Sequence, residues 1–154
     1  MKITITSPGH PSGKKGFERS AGAVIFYKSG KKIDYLLVRS SRGEKYWGFA
    51  KGGIERGEKE KETARREIKE ETGIDKIEFI NGFKEWFKVF YKRDEKEFLK
   101  TMIFYLVQAK TKKVKLSWEN MDYTWLGHKD ALEKLTYKDS KDVLEKANKF
   151  LAKK

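Results

Sequence analysis

Runs of apolar residues cut by glycine and charge set out a mixed β-rich chain. The stretch Phe17 to Tyr27 carries the block Ala23-Val24-Ile25-Phe26, and Ile33 to Val38 follows after Ser29-Gly30-Lys31-Lys32. Two β-favouring runs around a short glycine turn predict a hairpin. A Ser, Arg and Gly stretch over 40–43 leads to Tyr46-Trp47-Gly48-Phe49, read as a short strand, and then to a glycine-spaced loop over 51–58. Between Lys59 and Thr72, Ala64 and Ile68 fall four apart amid charges, which predicts a helix with one buried stripe, and Gly73 supplies a left-handed stop. Ile77 to Tyr91 and Phe98 to Ala109 read as two long strands joined by a charged turn over Lys92 to Glu97, with a further short strand at Tyr123 to Leu126. Lys129 to Leu135 and Ser140 to Leu151 are amphipathic, the second with Val143, Leu144, Ala147, Phe150 and Leu151 at helical spacing. At the other end, Ile3 and Ile5 suggest a short strand, and Pro8 and Pro11 among Gly9, Ser12, Gly13 and Gly16 suggest a loop. The expected organisation is an amino-terminal strand and loop over 1–16 and one domain over 17–154. The expected fold class is α+β, an α-β-α sandwich around a mixed β-sheet.

Composition sharpens this picture. At 154 residues the chain has room for one domain with a real apolar core. Its 38% hydrophobic and 14% aromatic content argues for folding despite 38% charge. Zero cysteines exclude a disulfide framework, a thiolate zinc site and a cysteine nucleophile. Only two histidines, His10 and His128, are present, which argues against a histidine-based metal site, and His128 reads as a surface residue. No run approaches the length of a membrane span, and Met1 to Thr6 lacks a signal-peptide apolar block, so the expectation is a cytoplasmic protein with no membrane partner. The net charge of +13, with Lys supplying 29 of the 36 basic residues, suits a surface that attracts free nucleotides or RNA. The same Lys and Glu enrichment is also a thermophile signature.

The predicted helix carries the candidate chemistry. Residues three and four apart share a helix face, so Glu67, Glu70 and Glu71 would crowd three carboxylates together. Unaided, such a cluster repels itself. A divalent cation would neutralise it, and hard oxygen ligands select Mg2+ or Mn2+ over Zn2+.

The surrounding segment Gly52 to Ile74, GGIERGEKEKETARREIKEETGI, resembles the signature box of the Nudix hydrolases at every fixed position. The resemblance implies a loop-helix-loop on an α-β-α sandwich, bound Mg2+, and hydrolysis of a phosphoanhydride in a nucleoside polyphosphate. By position, Glu70 and Glu71 match the family's principal metal ligands, and Glu67 matches a third carboxylate, ligand or general base. Gly52 matches a position whose backbone carbonyl coordinates metal. Glu58 and Arg66 match a structural ion pair, and Gly73 a conformational glycine.

Beyond the box the chain is similar to the animal and archaeal type of asymmetrical diadenosine tetraphosphate hydrolases. The segments that carry this are Ser20 to Ile25, Tyr46 to Gly52, Lys100 to Leu106 and Trp118 to Leu126. The likeness implies phosphate contact for Lys51, adenine stacking for Tyr91 and Tyr137, and a metal-ligand or base role for Glu119; Glu67 and Glu119 both stand as candidate base. Three positions depart from the pattern: Ala50 for proline, Gly53 for histidine, and Tyr46 for a histidine that can reach the phosphate chain. The implied reaction converts diadenosine tetraphosphate to ATP and AMP by attack of metal-activated water. The alternatives are an RNA 5'-pyrophosphohydrolase, hydrolysis of ADP-ribose or an oxidised nucleotide, and a non-catalytic nucleotide- or RNA-binding module.

Overall fold

A computed structural model describes residues 3–5, 15–41 and 46–153, with side chains from Gly16 onward. His10, the proline-bearing loop and residues 42–43 of the Ser, Arg and Gly stretch lie outside the described residues. Nine strands are described: β1 (Ile3–Ile5), β2 (Lys15–Ser29), β3 (Lys32–Ser40), β4 (Trp47–Gly48), β5 (Lys51–Gly53), β6 (Ile77–Phe79), β7 (Glu85–Arg93), β8 (Lys96–Ala109) and β9 (Asn120–Leu126). Three helices accompany them: α1 (Glu60–Thr72), α2 (His128–Lys134) and α3 (Lys138–Ala152).

The strands form one mixed sheet with the order β1-β7-β8-β2-β3-β4, to which β5 joins at β2, β6 at β8 and β9 at β3. The long central pair, β2 and β8, is parallel, and β2 is buried on both faces over residues 20–26. That double burial is why its sequence reads as a nearly continuous apolar run. Val24 and Phe26 point into a core roofed by Leu135, Val143, Leu144 and Ala147 of the α2–α3 segment. Ala21, Ala23 and Ile25 point into a second core closed by Ala64 and Ile68 of α1. The expected α-β-α sandwich is this pair of cores.

The β2–β3 hairpin turns at Gly30, where φ is +63°. The charged turn after β7 is tighter than expected, because Asp94 and Glu95, at φ +51° and +62°, close a two-residue connection between Arg93 and Lys96. One expectation is corrected: Ile77 to Tyr91 is not a single strand. β6 pairs with β8 through Phe79 and Val107, and β7 resumes at Glu85 opposite Phe104. The intervening residues, turning at Asn81-Gly82, bulge out of the ladder and bring Phe83 against Phe150 of α3, ring centroids 5.6 Å apart. Asn81-Gly82, with Gly82 at φ +94°, interrupts the β-favouring run, and Phe83 beyond the turn becomes a packing anchor for α3.

The site is positioned by a fork in the sheet. β3 stays beside β2 only as far as the Ile25–Leu36 pair; beyond it, Val38 and Arg39 pair with β4 instead, while the other edge of β3 stays on β9 from Tyr35 onward. The chain over 47–53 bridges the gap, pairing with β3 through Trp47 and Gly48 and with β2 through Lys51, Gly52 and Gly53. Between them the Ala50 carbonyl accepts from Ala23 N at 3.2 Å. The crossing is so close that a Cβ on Gly22 would meet the Ala50 oxygen at 2.1 Å.

Candidate active site

α1 lies under the fork, and its helical phase sorts the three box glutamates. Ala64, Ile68, Glu71 and Thr72 share the buried stripe, so Glu71 is carried inward and is only 7% exposed. Glu67 lies on the flank of that stripe, its side chain 12% exposed, whereas Glu70 points outward, its side chain 56% exposed. The structure therefore brings Glu67 and Glu71 together and turns Glu70 toward Arg66, 3.2 Å away. Gly73 ends the helix at φ +74°, its N–H bonded to the Lys69 carbonyl at 2.9 Å.

Arg66 ties the loop to the helix. Its guanidinium donates to both oxygens of Glu58 at 2.7 and 2.9 Å, to the Gly53 carbonyl at 2.9 Å and to Glu67 at 2.8 Å. Thr63 Oγ1 adds a 2.6 Å bond to Glu58. Those donors, Arg66 first, hold the Glu58 carboxyl down at about 2. Gly52 sits directly over the helix, where a Cβ would lie 2.0 Å from the Glu67 carboxyl carbon. No side chain fits there while Glu67 keeps this position, and the backbone of the loop meets the carboxylate directly.

Glu71 accepts from the Lys51 N–H at 2.9 Å and from Asn120 Nδ2 at 3.0 Å. Burial, opposed in part by the Asn120 bond, pushes its carboxyl up to about 7, and the neighbouring Glu67 charge pushes the same way. Glu67 is raised as well, again chiefly by burial. Two carboxylates held together above their ordinary range call for a proton or a cation between them. Among the described residues no three Asp, Glu or His side chains converge on one point. The donor chemistry nonetheless suits a hard divalent ion: an oxygen-only pair in need of positive charge, beside a backbone loop that glycine leaves open.

Glu67 and Glu71 open onto a cleft of about 400 Å³ in the fork, whose wall also holds Tyr46, Lys51, Lys100 and Glu119. Glu119 rides on a turn fixed by Ser41, whose Oγ donates to the Glu119 carbonyl at 2.7 Å, and by Ser117 N, which donates to the Glu71 carbonyl at 3.3 Å. Lys51 Nζ donates to the Tyr46 hydroxyl at 3.2 Å, and Tyr46 packs on Tyr137 with ring centroids 5.3 Å apart. Tyr46 thus occupies the position of the absent histidine and holds the lysine. Tyr91 is stacked on Phe98 at 5.2 Å, two pairs along the ladder from Val89–Lys100 and so on the same side of the sheet as Lys100. His128 is a partly exposed helix-start residue bonded to Glu145, away from the cleft.

Sequence reasoning assigned no role to Lys100. Burial, together with the nearby charges of Lys51 and Arg93, lowers its ammonium to about 8, while Glu18 pulls the other way. A cation held there below its usual range is stabilised by an anion entering the cleft. The signal lay in β8, where Lys100 takes the same inward parity as Met102 and Phe104. Asn120 was missed too, since an amide after Ser-x-Glu carries no charge to draw notice.

A model of the NUDIX domain matches residues 16–147. The chain belongs to the Nudix family. It is 36% identical over 143 residues to the asymmetrical bis(5'-nucleosyl)-tetraphosphatase of Sus scrofa, covering 86% of this chain and 95% of that one. It is also 33% identical over 134 residues to an RNA pyrophosphohydrolase of Nitratiruptor, covering 80% of this Nudix chain and 86% of that protein. A crystal structure of a C. elegans Ap4A hydrolase binary complex superposes with a TM-score of 0.79 at 31% identity, over 89% of this chain and 99% of that one. A dihydroneopterin triphosphate pyrophosphohydrolase from E. coli, TM-score 0.64 at 19% identity, shares the fold. The protein is a Nudix hydrolase, and no described helix is long and apolar enough to cross a membrane.

Proposed function

We propose that this Nudix hydrolase cleaves a dinucleoside polyphosphate, diadenosine tetraphosphate, to ATP and AMP with a divalent cation, Mg2+ or Mn2+. The observation that carries the reading is the pairing of Lys51 and Lys100 on the wall that Glu67 and Glu71 share, with aromatic pairs nearby. A chain of four phosphates needs cations along its length, and each adenine needs a flat apolar face.

Glu67, Glu71 and Glu119, with the Gly52 carbonyl, would hold the cation, joined by Glu70 on turning from Arg66 toward the cleft. Bound there, it supplies charge that screens the polyphosphate and acidifies water. Lys51 and Lys100 grip phosphate oxygens and orient the chain, the Tyr46 hydroxyl keeping Lys51 extended into the cleft. Tyr91 and Tyr137 take the adenines. Arg66 keeps Gly52 and Gly53 seated on α1, so the reacting phosphate meets a fixed backbone. Glu67 and Glu119 both stand on the cleft wall within the set that could take the proton of the attacking water. Glu67→Gln and Glu119→Gln separate them: the base is the residue whose loss removes the acid limb of the pH–rate profile.

The test is product chromatography after incubation with Mg2+ and diadenosine tetraphosphate, triphosphorylated RNA, ADP-ribose or 8-oxo-dGTP, with an EDTA control. ATP and AMP appearing fastest from the dinucleotide supports the proposal. Faster turnover of RNA with an idle dinucleotide favours the second reading, an RNA 5'-pyrophosphohydrolase, which the Nitratiruptor relative and the +13 charge support.

A further inference from the structure

On the side of the sheet away from Lys100 and Tyr91, the strands run on past the end of α1. The register lays out three rows across β2, β8 and β7 on that side: Ala21–Ile103–Trp86, Arg19–Thr101–Lys88 and Phe17–Leu99–Phe90. In the first row Ala21 and Ile103 are buried in the core under α1, but Trp86 is 40% exposed, and in the third row Phe17 is 79% exposed. Across β2, β8 and β7, about 10 Å wide and continued by β1 beyond β7, this face thus carries a Phe and a Trp in the open at opposite corners.

The middle row is cationic. Arg19 and Lys84 both pair with Glu60, the first residue of α1, Lys84 at 2.7 Å, and Lys88 stands in the same row as Arg19. Arg19 and Lys84 share one carboxylate, and Lys88 adds a further positive charge in the row, so these four groups carry a net positive charge. A second copy of the chain would bring the same cations and the same +13 charge onto this face, and like charge opposes that contact. The complementary partner is a polyanion with exposed aromatic faces. Duplex nucleic acid hides its bases in the stack, whereas a single strand offers both phosphates and bases. We infer that the Phe17–Arg19–Lys88–Trp86 face binds single-stranded RNA. The strip starts beside the active-site loop, because Ile54 N donates to the Arg19 carbonyl at 3.0 Å. The inference does not rest on which phosphoanhydride the cleft opens.

Fluorescence anisotropy with a 3'-labelled, unstructured RNA bearing a 5'-hydroxyl tests it without engaging phosphoanhydride chemistry. Wild-type protein should bind with a log–log salt slope of about −2, from roughly three cations on a single strand. Saturating diadenosine tetraphosphate should not displace the RNA. The double variant Phe17→Ala, Trp86→Ala should weaken binding at least tenfold, about 1.4 kcal/mol, with nucleotide hydrolysis unchanged. Phe17→Ala alone, at a solvent-exposed position, should weaken it at least threefold with an unaltered melt, which separates stacking loss from misfolding. The inference is overturned if the variants bind as wild type, if duplex RNA of equal length binds equally, or if the dinucleotide displaces the strand. Sedimentation showing a dimer that Phe17→Ala dissociates would overturn it as well, assigning the face to a second copy.

Discussion

Glu71→Gln should reverse its effect on stability with pH. In the metal-free protein burial lifts the Glu71 carboxyl from 4.5 to about 7. A carboxyl raised on folding contributes stability that is fully present below its unfolded pKa near 4.5 and is lost as pH rises through 7. The shift corresponds to a ceiling of about 3 kcal/mol between pH 5 and pH 8. Glutamine stays neutral, so the variant lacks this dependence. It retains one acceptor oxygen for the two donors at Lys51 N and Asn120 Nδ2, which costs about 1 kcal/mol at any pH. In EDTA, therefore, Glu71→Gln should melt at or slightly below wild type at pH 5 and several degrees above it at pH 8, given roughly 2–4 °C per kcal/mol for a domain of this size. Mg2+ at pH 8 should restore the wild type's advantage, because the ion replaces the missing proton between the carboxylates and binds only the folded state. Parallel melting curves for the two proteins from pH 5 to 8 in EDTA would refute the argument that burial of this carboxylate is what the cation relieves.

Other perturbations probe separate parts of the site. Glu70→Gln removes an exposed charge with one 3.2 Å bond to Arg66, so calorimetry should find stability within about 0.5 kcal/mol of wild type while Mg2+-dependent turnover is lost; retained turnover removes Glu70 from the ligand set. Glu58 is depressed to about 2, so its stabilisation is present above pH 4.5 and lost as pH falls through 2; thermal melts of Glu58→Gln should converge on wild type across that window and lie below it at pH 6. Lys100→Met should raise the Michaelis constant for the dinucleotide roughly 10–100-fold, the worth of a charged phosphate contact, while slightly raising the melting temperature, since a cation beside Lys51 is removed. Tyr91→Ala should raise the Michaelis constant for diadenosine tetraphosphate about tenfold and leave inorganic tetraphosphate unaffected; equal losses on both would point to the Tyr91–Phe98 stack as a folding element.

What the sequence made legible follows from how local each signal is. The helix over the box, its Gly73 stop, the β2–β3 hairpin and the two carboxy-terminal helices all rest on spacing within a few residues, and all stand in the structure. The break between β6 and β7 was local too, written in the turn dipeptide Asn81-Gly82 that an otherwise apolar run obscures, whereas its consequence, Phe83 packed on Phe150 of α3, lies some seventy residues away and could not be read. The box glutamates were legible as a group, but their division was not. Spacing of three and four places Glu67, Glu70 and Glu71 near one another, while the core under Ala64 and Ile68 decides that Glu71 turns inward and Glu70 outward. Lys100 escaped for a related reason. A lysine on a strand reads as solvated until β2, crossing beside it, shows that its side of the ladder faces the cleft.

The fork explains why so many of these charges meet at one place. A sheet whose strands stayed paired would bury Lys51 and Lys100 against apolar neighbours, at a desolvation cost no surface lysine bears. Because β3 departs from β2 after Leu36, the chain over 47–53 has to bridge the gap, and backbone that would otherwise be interior opens on a wet cleft. Gly22 permits the close crossing at Ala50, and Gly52 permits the crossing chain to rest on Glu67. Replacing either glycine by alanine should therefore impair the site through different routes. At Gly22 the added methyl meets rigid backbone, so the fork itself must open and the melting temperature should fall. At Gly52 it meets the end of a side chain, which can rotate away, so the fold should survive while Glu67 leaves Glu71 and divalent-cation binding by calorimetry weakens. Equal melting temperatures for the two variants would contradict the division of the two glycines between fork and carboxylate pair.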